Sequence, residues 1–142
     1  MNVLVDTCVW SLSFRRRDKG LLSADEQRMA GSLADAVRNG RVLIIGPIRQ
    51  EVLSGIRDKS QFAKIERLLD PFPDEPLLTA DYIEAARLFN LCRDHGVECG
   101  PVDILICAVA VRNHCVILTG DQGLMRCIDV LRRQKLLRSR AE

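Results

Sequence analysis

Four carboxylates, Asp6, Glu51, Asp103 and Asp121, stand where a negative charge has consequences. Asp103 is the most telling. From Val102 to Val111 every residue except Asp103 is apolar or a cysteine, and a helix apolar on all sides is a buried one. An ionised carboxylate at its start costs on the order of several kcal/mol in desolvation unless a cation, a basic side chain or helix amides offset it. Glu51 follows an apolar run and a Gly46-Pro47 helix opening. At about 100° per residue, Ile48, Val52 and Ile56 form a stripe roughly 80° wide, with Gly55 and then Glu51 along one edge. That spacing puts Glu51 on the core boundary, and Gly55 leaves room there for another element. Asp6 and Asp121 each come just after an apolar run, and the C-terminal ends of parallel strands line the crevice where ligands bind. Each acid also has a plainer role open to it. Asp6 and Asp121 can serve as N-caps, and Asp103 can favour a helix N-terminus through the dipole. No cap role accounts for Glu51, nor for all four acids marking strand-proximal ends on one side of a sheet.

The elements that must position these acids alternate in type. Residues 2–5 read as a buried strand, and Trp10 and Phe14 four apart as a helix. Ser23 and Glu26 form a capping box, and Met29, Leu33, Ala36 and Val37 repeat at helical spacing until Asn39-Gly40. Residues 42–45 (VLII) read as the second strand, followed by the Glu51 helix and another from about Ser60 to Leu69. PDEP at 73–76 reads as a hinge, and Thr79 as the cap of a long helix ending near His95-Gly96. Gly100-Pro101 opens the Asp103 helix, CVIL at 115–118 is the third strand, and TGDQG leads into a last helix around Leu124–Leu131. Strands separated by helices imply βαβ units and a parallel sheet. With no repeat or low-complexity segment in 142 residues, one domain spanning 1–142 is expected.

Composition narrows the setting. At 47% hydrophobic and 28% charged, the chain is too apolar to be disordered. MNVLVDTCVW has no basic leader or cleavage site, and no apolar run nears the roughly 20 residues of a bilayer span, so a cytoplasmic, membrane-free protein is expected. The six cysteines, Cys8, Cys92, Cys99, Cys107, Cys115 and Cys127, lie mostly in apolar segments without a CxxC pair, which favours buried thiols over a disulfide framework. Cys92, His95, Cys99 and His114 or Cys115 match no standard zinc spacing. A net charge of +2 does not announce a nucleic-acid binder. Local basic clusters at Arg15–Arg17 and at Arg132, Arg133, Lys135, Arg138 and Arg140 are suited either to phosphates or to plain solvated surface. His95 and His114 lie near helix ends, away from the acids, which disfavours a two-histidine ribonuclease mechanism.

The segments VDTCVW, IRQEVLSG, PVDILICAVAV and LTGDQGL resemble, in order and spacing, the acidic motifs of the PIN-domain nucleases. VDTCVW is especially similar to the VapC-type toxins of bacterial toxin–antitoxin pairs. The resemblance runs along nearly the whole chain. It implies an α/β fold with three layers, a central parallel sheet carrying helices on both faces. It further implies that Asp6, Glu51, Asp103 and Asp121 coordinate metal, with Thr119 or Thr7 supplying a nearby hydroxyl. Gly123 departs from the pattern, since many relatives carry an acidic or polar residue there, and its absence removes a fifth ligand that a second metal would use.

Clustered carboxylates repel and raise one another's pKa, an effect that a divalent cation reverses. Hard oxygen ligands suit Mg²⁺ or Mn²⁺, and metal-activated water would then hydrolyse a phosphodiester. The resemblance alone makes the substrate RNA and adds a small cognate antitoxin protein and a homodimer. With only 4% aromatic residues, broad base-stacking platforms are not expected. A receiver-like phosphoacceptor domain would carry paired acids after its first strand and a late lysine. A haloacid-dehalogenase-like phosphatase would carry two aspartates one residue apart. VDTCV and TGDQ offer neither. A noncatalytic PIN-fold binding module remains the main alternative, but it would usually have lost an acid.

Overall fold

The computed structural model describes residues 1–14 and 22–138. Three short strands, β1 (Val3–Val5), β2 (Val42–Leu43) and β3 (Val116–Leu118), form a parallel sheet in the order β2-β1-β3. Val3 pairs with Val42 and Val116, Leu4 with Leu43 and Ile117, and Val5 with Leu118. All three residues of β1 are buried. Successive strand residues point to opposite faces, so both faces of the sheet are covered, which is why β1 reads as a continuous apolar run rather than an alternating one. The covering layers are α1 (Thr7–Phe14), α2 (Ala24–Arg38), α3 (Gly46–Ser54), α4 (Lys59–Leu69), α5 (Thr79–Asp94), α6 (Pro101–Asn113) and α7 (Gln122–Arg133). This is the expected three-layer α/β/α arrangement. No helix among the described residues is long and apolar enough to cross a membrane.

Helix boundaries follow side-chain chemistry, not always as the sequence suggests. Ser23 caps α2 with the reciprocal Glu26 bond. Gly40 and Gly96 take the positive φ that ends α2 and α5, as the Asn39-Gly40 and His95-Gly96 pairs foretell. His95 and His114 are the C-cap residues of α5 and α6, matching the helix-end role expected of them. Three starts differ. α4 is capped by Asp58, whose carboxylate accepts from the Gln61 amide and the Ser60 hydroxyl. Thr79 is the first helical residue of α5 rather than its cap, and Asp81 reaches back to accept the Leu78 amide. α7 begins at Gln122, two residues earlier than the periodicity suggests, because Asp121 caps it.

The second strand is also shorter than the VLII run predicts. Ile44 instead makes an isolated parallel bridge to Asp74, with the Glu75 amide donating to Ile44 O at 2.8 Å, and Ile45 already serves as the N-cap of α3. The 73–76 segment is thus partly an edge of the sheet and not a free hinge. It is held from the other side by Arg112, in the last turn of α6. That guanidinium donates to both oxygens of Asp81 (2.7 and 3.0 Å), to Glu75 Oε1 (3.2 Å) and to Pro76 O (3.0 Å).

Candidate active site

Asp6 leaves the end of β1 with its amide donating to Leu118 O at 2.9 Å, so β1 and β3 deliver Asp6 and Thr119 side by side. Both are buried, at 6% and 7% exposure. A buried carboxylate needs donors, and Asp6 has three. Oδ1 accepts the Thr7 amide at 2.8 Å, and Oδ2 accepts the Thr119 hydroxyl at 2.8 Å and the Cys8 thiol at 3.4 Å. The Thr119 oxygen in turn accepts the Asp121 amide at 3.0 Å, so one hydroxyl links two of the four acids. Thr7 does the same on the other side, donating from Oγ1 to Glu51 Oε2 at 2.9 Å. Both threonines named from the sequence therefore contribute, on different acids.

The two outer acids are more open than the sequence suggests. Glu51 is exposed, not seated at the core boundary, and Thr7 holds it in place. Asp121 is exposed too, and its Oδ2 caps α7 through the Leu124 amide at 2.9 Å. The cap role foreseen for Asp121 is thus real, and it occupies one oxygen. Asp103 is half-buried in the first turn of α6. Its carboxyl is pushed up to about 6, first by burial and then by the negative charges of Asp6, Asp121 and Glu51. Among the described residues none of the four acids is ion-paired. Of the three offsets open to Asp103, a basic side chain is therefore not supplied within these residues. The basic cluster at Arg15–Arg17, and Arg140, lie outside them.

Two features escaped sequence reasoning. Cys8 lies inside the first motif, yet its thiol touches Asp6 and accepts the Gly120 amide at 3.3 Å; burial, above all, pushes that thiol up. Gly120 sits where a Cβ would come within 2.9 Å of the Met29 side chain, so α2 closes tightly against the β3–α7 turn. The TGDQG string carried that signal, but its partner 91 residues away in sequence did not show. At Gly123 a Cβ would lie 3.3 Å from Asp121 Oδ2, so a larger residue there would stand beside the acid, and this chain leaves the place bare.

Thr119→Val keeps the volume and removes the hydroxyl that serves both Asp6 and Asp121. We expect a loss of about 1–3 kcal/mol, the usual consequence of stripping a hydrogen bond from a buried polar group. Urea unfolding of the variant measures it, and an unchanged midpoint would show the link to be dispensable.

A PIN domain family model matches residues 3–129. The chain belongs to the PIN domain family. VapC ribonuclease Mb1587 of Mycobacterium bovis is 31% identical over 121 residues, 84% of this chain and 86% of its own length. Ribonuclease VapC11 of Mycobacterium tuberculosis matches to the same extent. Among solved structures, FitAcB from Neisseria gonorrhoeae superposes with a TM-score of 0.68 at 19% identity, covering 89% of this chain and 93% of that one, a likeness of fold. All four acids of this PIN domain fall within the matched span.

Proposed function

We propose that this PIN domain is a divalent-metal-dependent endoribonuclease acting as the toxin of a toxin–antitoxin pair. The observation that carries the reading is the Asp103 carboxyl, raised to about 6 beside three further acids with no basic partner among the described residues. The names of the VapC ribonuclease relatives support RNA as the substrate, and the similarity of the VDTCVW segment to VapC-type toxins supports the toxin role.

The donor set fits Mg²⁺ or Mn²⁺. All four candidates offer hard oxygens, and among the described residues no three of them bring ligand oxygens within 4.8 Å of one another. Such an open arrangement suits an ion that keeps several waters and takes only one or two carboxylates at a time. One or two of Asp6, Glu51, Asp103 and Asp121 would hold it at a time. The ion would supply charge neutralisation at the phosphodiester and activation of the attacking water. The chain's own part is preorganisation. Thr119 and the Thr7 amide fix the Asp6 carboxylate, the Thr7 hydroxyl fixes Glu51, and the α7 cap fixes Asp121. Three of the four acids are therefore oriented before substrate arrives.

The partner reading has a surface to match. A groove of about 850 Å³ runs between α1, α2 and α4, lined by Trp10, Phe14, Val37, Leu68 and Phe72 among others. Trp10 lines it with its indole N–H buried and, among the described residues, without an acceptor, and the apolar face of an amphipathic antitoxin helix would lie in such a groove. The homodimer belongs to the same reading, with Leu78, Tyr82 and Ile83, each about half exposed, as apolar surface on and beside α5 for a second copy to cover.

Cleavage of RNA should appear with Mn²⁺ or Mg²⁺, vanish with chelator, and drop steeply in Glu51→Gln. Cleavage that survives the chelator undiminished sinks the metal mechanism. Absence of cleavage with every divalent ion favours a binding module.

A further inference from the structure

Three cysteines that the four acids do not touch meet in the core. Cys92 lies in α5, Cys99 in the turn before α6 and Cys127 in α7, and their sulfurs lie within 4.8 Å of one another. Cys99 and Cys127 are joined as a disulfide across a Cα–Cα distance of 6.3 Å, and Cys92 is a free thiol beside the Cys127 carbonyl. None is more than 6% exposed. Four of the six are thiols, with Cys92, Cys107 and Cys115 buried and Cys8 half-buried, so the expectation that most are buried thiols holds for three and fails for this pair.

The bond lies close to the acids in sequence. Only Gly100, Pro101 and Val102 separate Cys99 from Asp103, and Cys127 lies in the helix that Asp121 caps. The disulfide is therefore a strut between the two elements that carry Asp103 and Asp121. Otherwise the entrance of α6 is held by apolar packing and by helix bonds such as Ile104 N–H to Gly100 O at 3.0 Å. A free thiol in the same cluster makes the pairing a choice. A Cys92–Cys99 bond would tie the entrance of α6 to α5 and leave α7 unlinked.

We propose that Cys99–Cys127 is a reversible redox clamp that fixes the spacing of Asp103 and Asp121. The effect on metal binding rests on the metal-nuclease reading; the clamp itself does not. Closing it takes two thiols to one S–S bond with release of two protons and two electrons. The acceptor is a small-molecule disulfide such as oxidised glutathione, which forms a mixed disulfide with Cys99, the least buried of the three, on local opening at the entrance of α6, and leaves as two thiols when Cys127 displaces it. A dithiol reductant reverses the step. Where thiols are kept reduced, the clamp stands open until oxidant reaches it.

The full chain is equilibrated with oxidised glutathione or with dithiothreitol. Three properties are then followed: mass-spectrometric mapping of thiols, thermal unfolding, and amide exchange at Ile104–Ile106. Closure of the 28-residue separation should favour the folded state by roughly 10²-fold and raise Tm by about 10 °C, and exchange at the start of α6 should slow by roughly tenfold. Cys99→Ser should lose all three responses; should it fail to fold, Cys127→Ala serves in its place. Pairing through Cys92, or equal Tm and exchange in both buffers, overturns the clamp. Mn²⁺ titration of the two forms should show weaker binding when reduced, and equal affinity overturns the link to the pocket. A clamped protein that never cleaves RNA leaves the clamp standing and removes only the nuclease reading.

Discussion

Asp103→Asn is expected to do two opposite things, stabilising the metal-free protein at neutral pH while removing cleavage. The Asp103 carboxyl is raised to about 6 by burial and by Asp6, Asp121 and Glu51, whereas an unfolded aspartate titrates near about 3.9. A group raised on folding contributes stability that is complete below the unfolded value and is lost as pH rises through the folded one. Native protein without metal therefore weakens between about pH 4 and pH 6. Asparagine, which carries no charge, escapes that loss. The gain should be roughly 2 kcal/mol at pH 7.5, after some allowance for solvent at a half-buried site, and should fade towards pH 4. Thermal unfolding in chelator across this range measures it. Saturating Mn²⁺ should reverse the order, because a ligand that binds only the native fold stabilises by mass action and the asparagine amide offers a weaker donor. Cleavage should fall by roughly 10²–10³-fold, the usual effect of removing one preorganised electrostatic group. A variant less stable than native in chelator at pH 7.5 would mean that Asp103 is a structural helix-start residue, and the argument from its charge would fail.

How much of this was legible in the sequence depended on how far apart the deciding atoms lay. Asp103 stood out because a single polar residue interrupts an apolar helix, a contrast contained within ten residues. β1 and β3 were legible for the same reason, since burial on both faces writes a continuous apolar run. The end of β2 was not. Ile44 bonds to the 74–75 backbone, and that segment, flanked by Pro73 and Pro76, carries turn chemistry that masks a sheet partner. Asp58 and Ser60 are both good capping residues, and only the three-dimensional path of the turn selects the first. Glu51 lies on the helix its sequence context indicates, yet it is more exposed than the apolar stripe of that helix implies. Its position is fixed by Thr7, 44 residues earlier, and no periodicity along α3 reports on that bond. The cysteine pairing was hidden more deeply, because spacing alone never settles connectivity.

Thr79 begins α5 instead of capping it for a reason that leads to a large stability effect. Asp81 is 1% exposed, and its carboxylate takes both the Leu78 amide and a two-pronged contact from Arg112, 31 residues on. Burial alone pushes Asp81 up, but the Arg112 bonds, the Leu78 amide and the Arg112 charge outweigh it and hold the carboxyl below its ordinary value. Arg112→Met should therefore cost about 3–5 kcal/mol, because it strands a buried charge rather than merely deleting a contact. It would also release Glu75 and Pro76 from the end of α6, loosening the edge that pairs with Ile44. The pH dependence gives the effect a signature. A carboxylate lowered on folding contributes stability that is present above the unfolded value and lost as pH falls through the folded one, so native protein loses this contribution in acid. In the variant Asp81 loses the guanidinium and keeps the burial. Its penalty is then largest at neutral pH and shrinks as the carboxyl protonates, so the two unfolding curves should converge on acidification. Adding Asp81→Leu to Arg112→Met should recover most of the loss, since two apolar groups leave no orphaned charge. Urea denaturation of the native chain, both single variants and the pair closes the cycle. Strict additivity of the two single losses would mean that Arg112 and Asp81 act separately, and the bridge would not be what holds α5 and α6 in register.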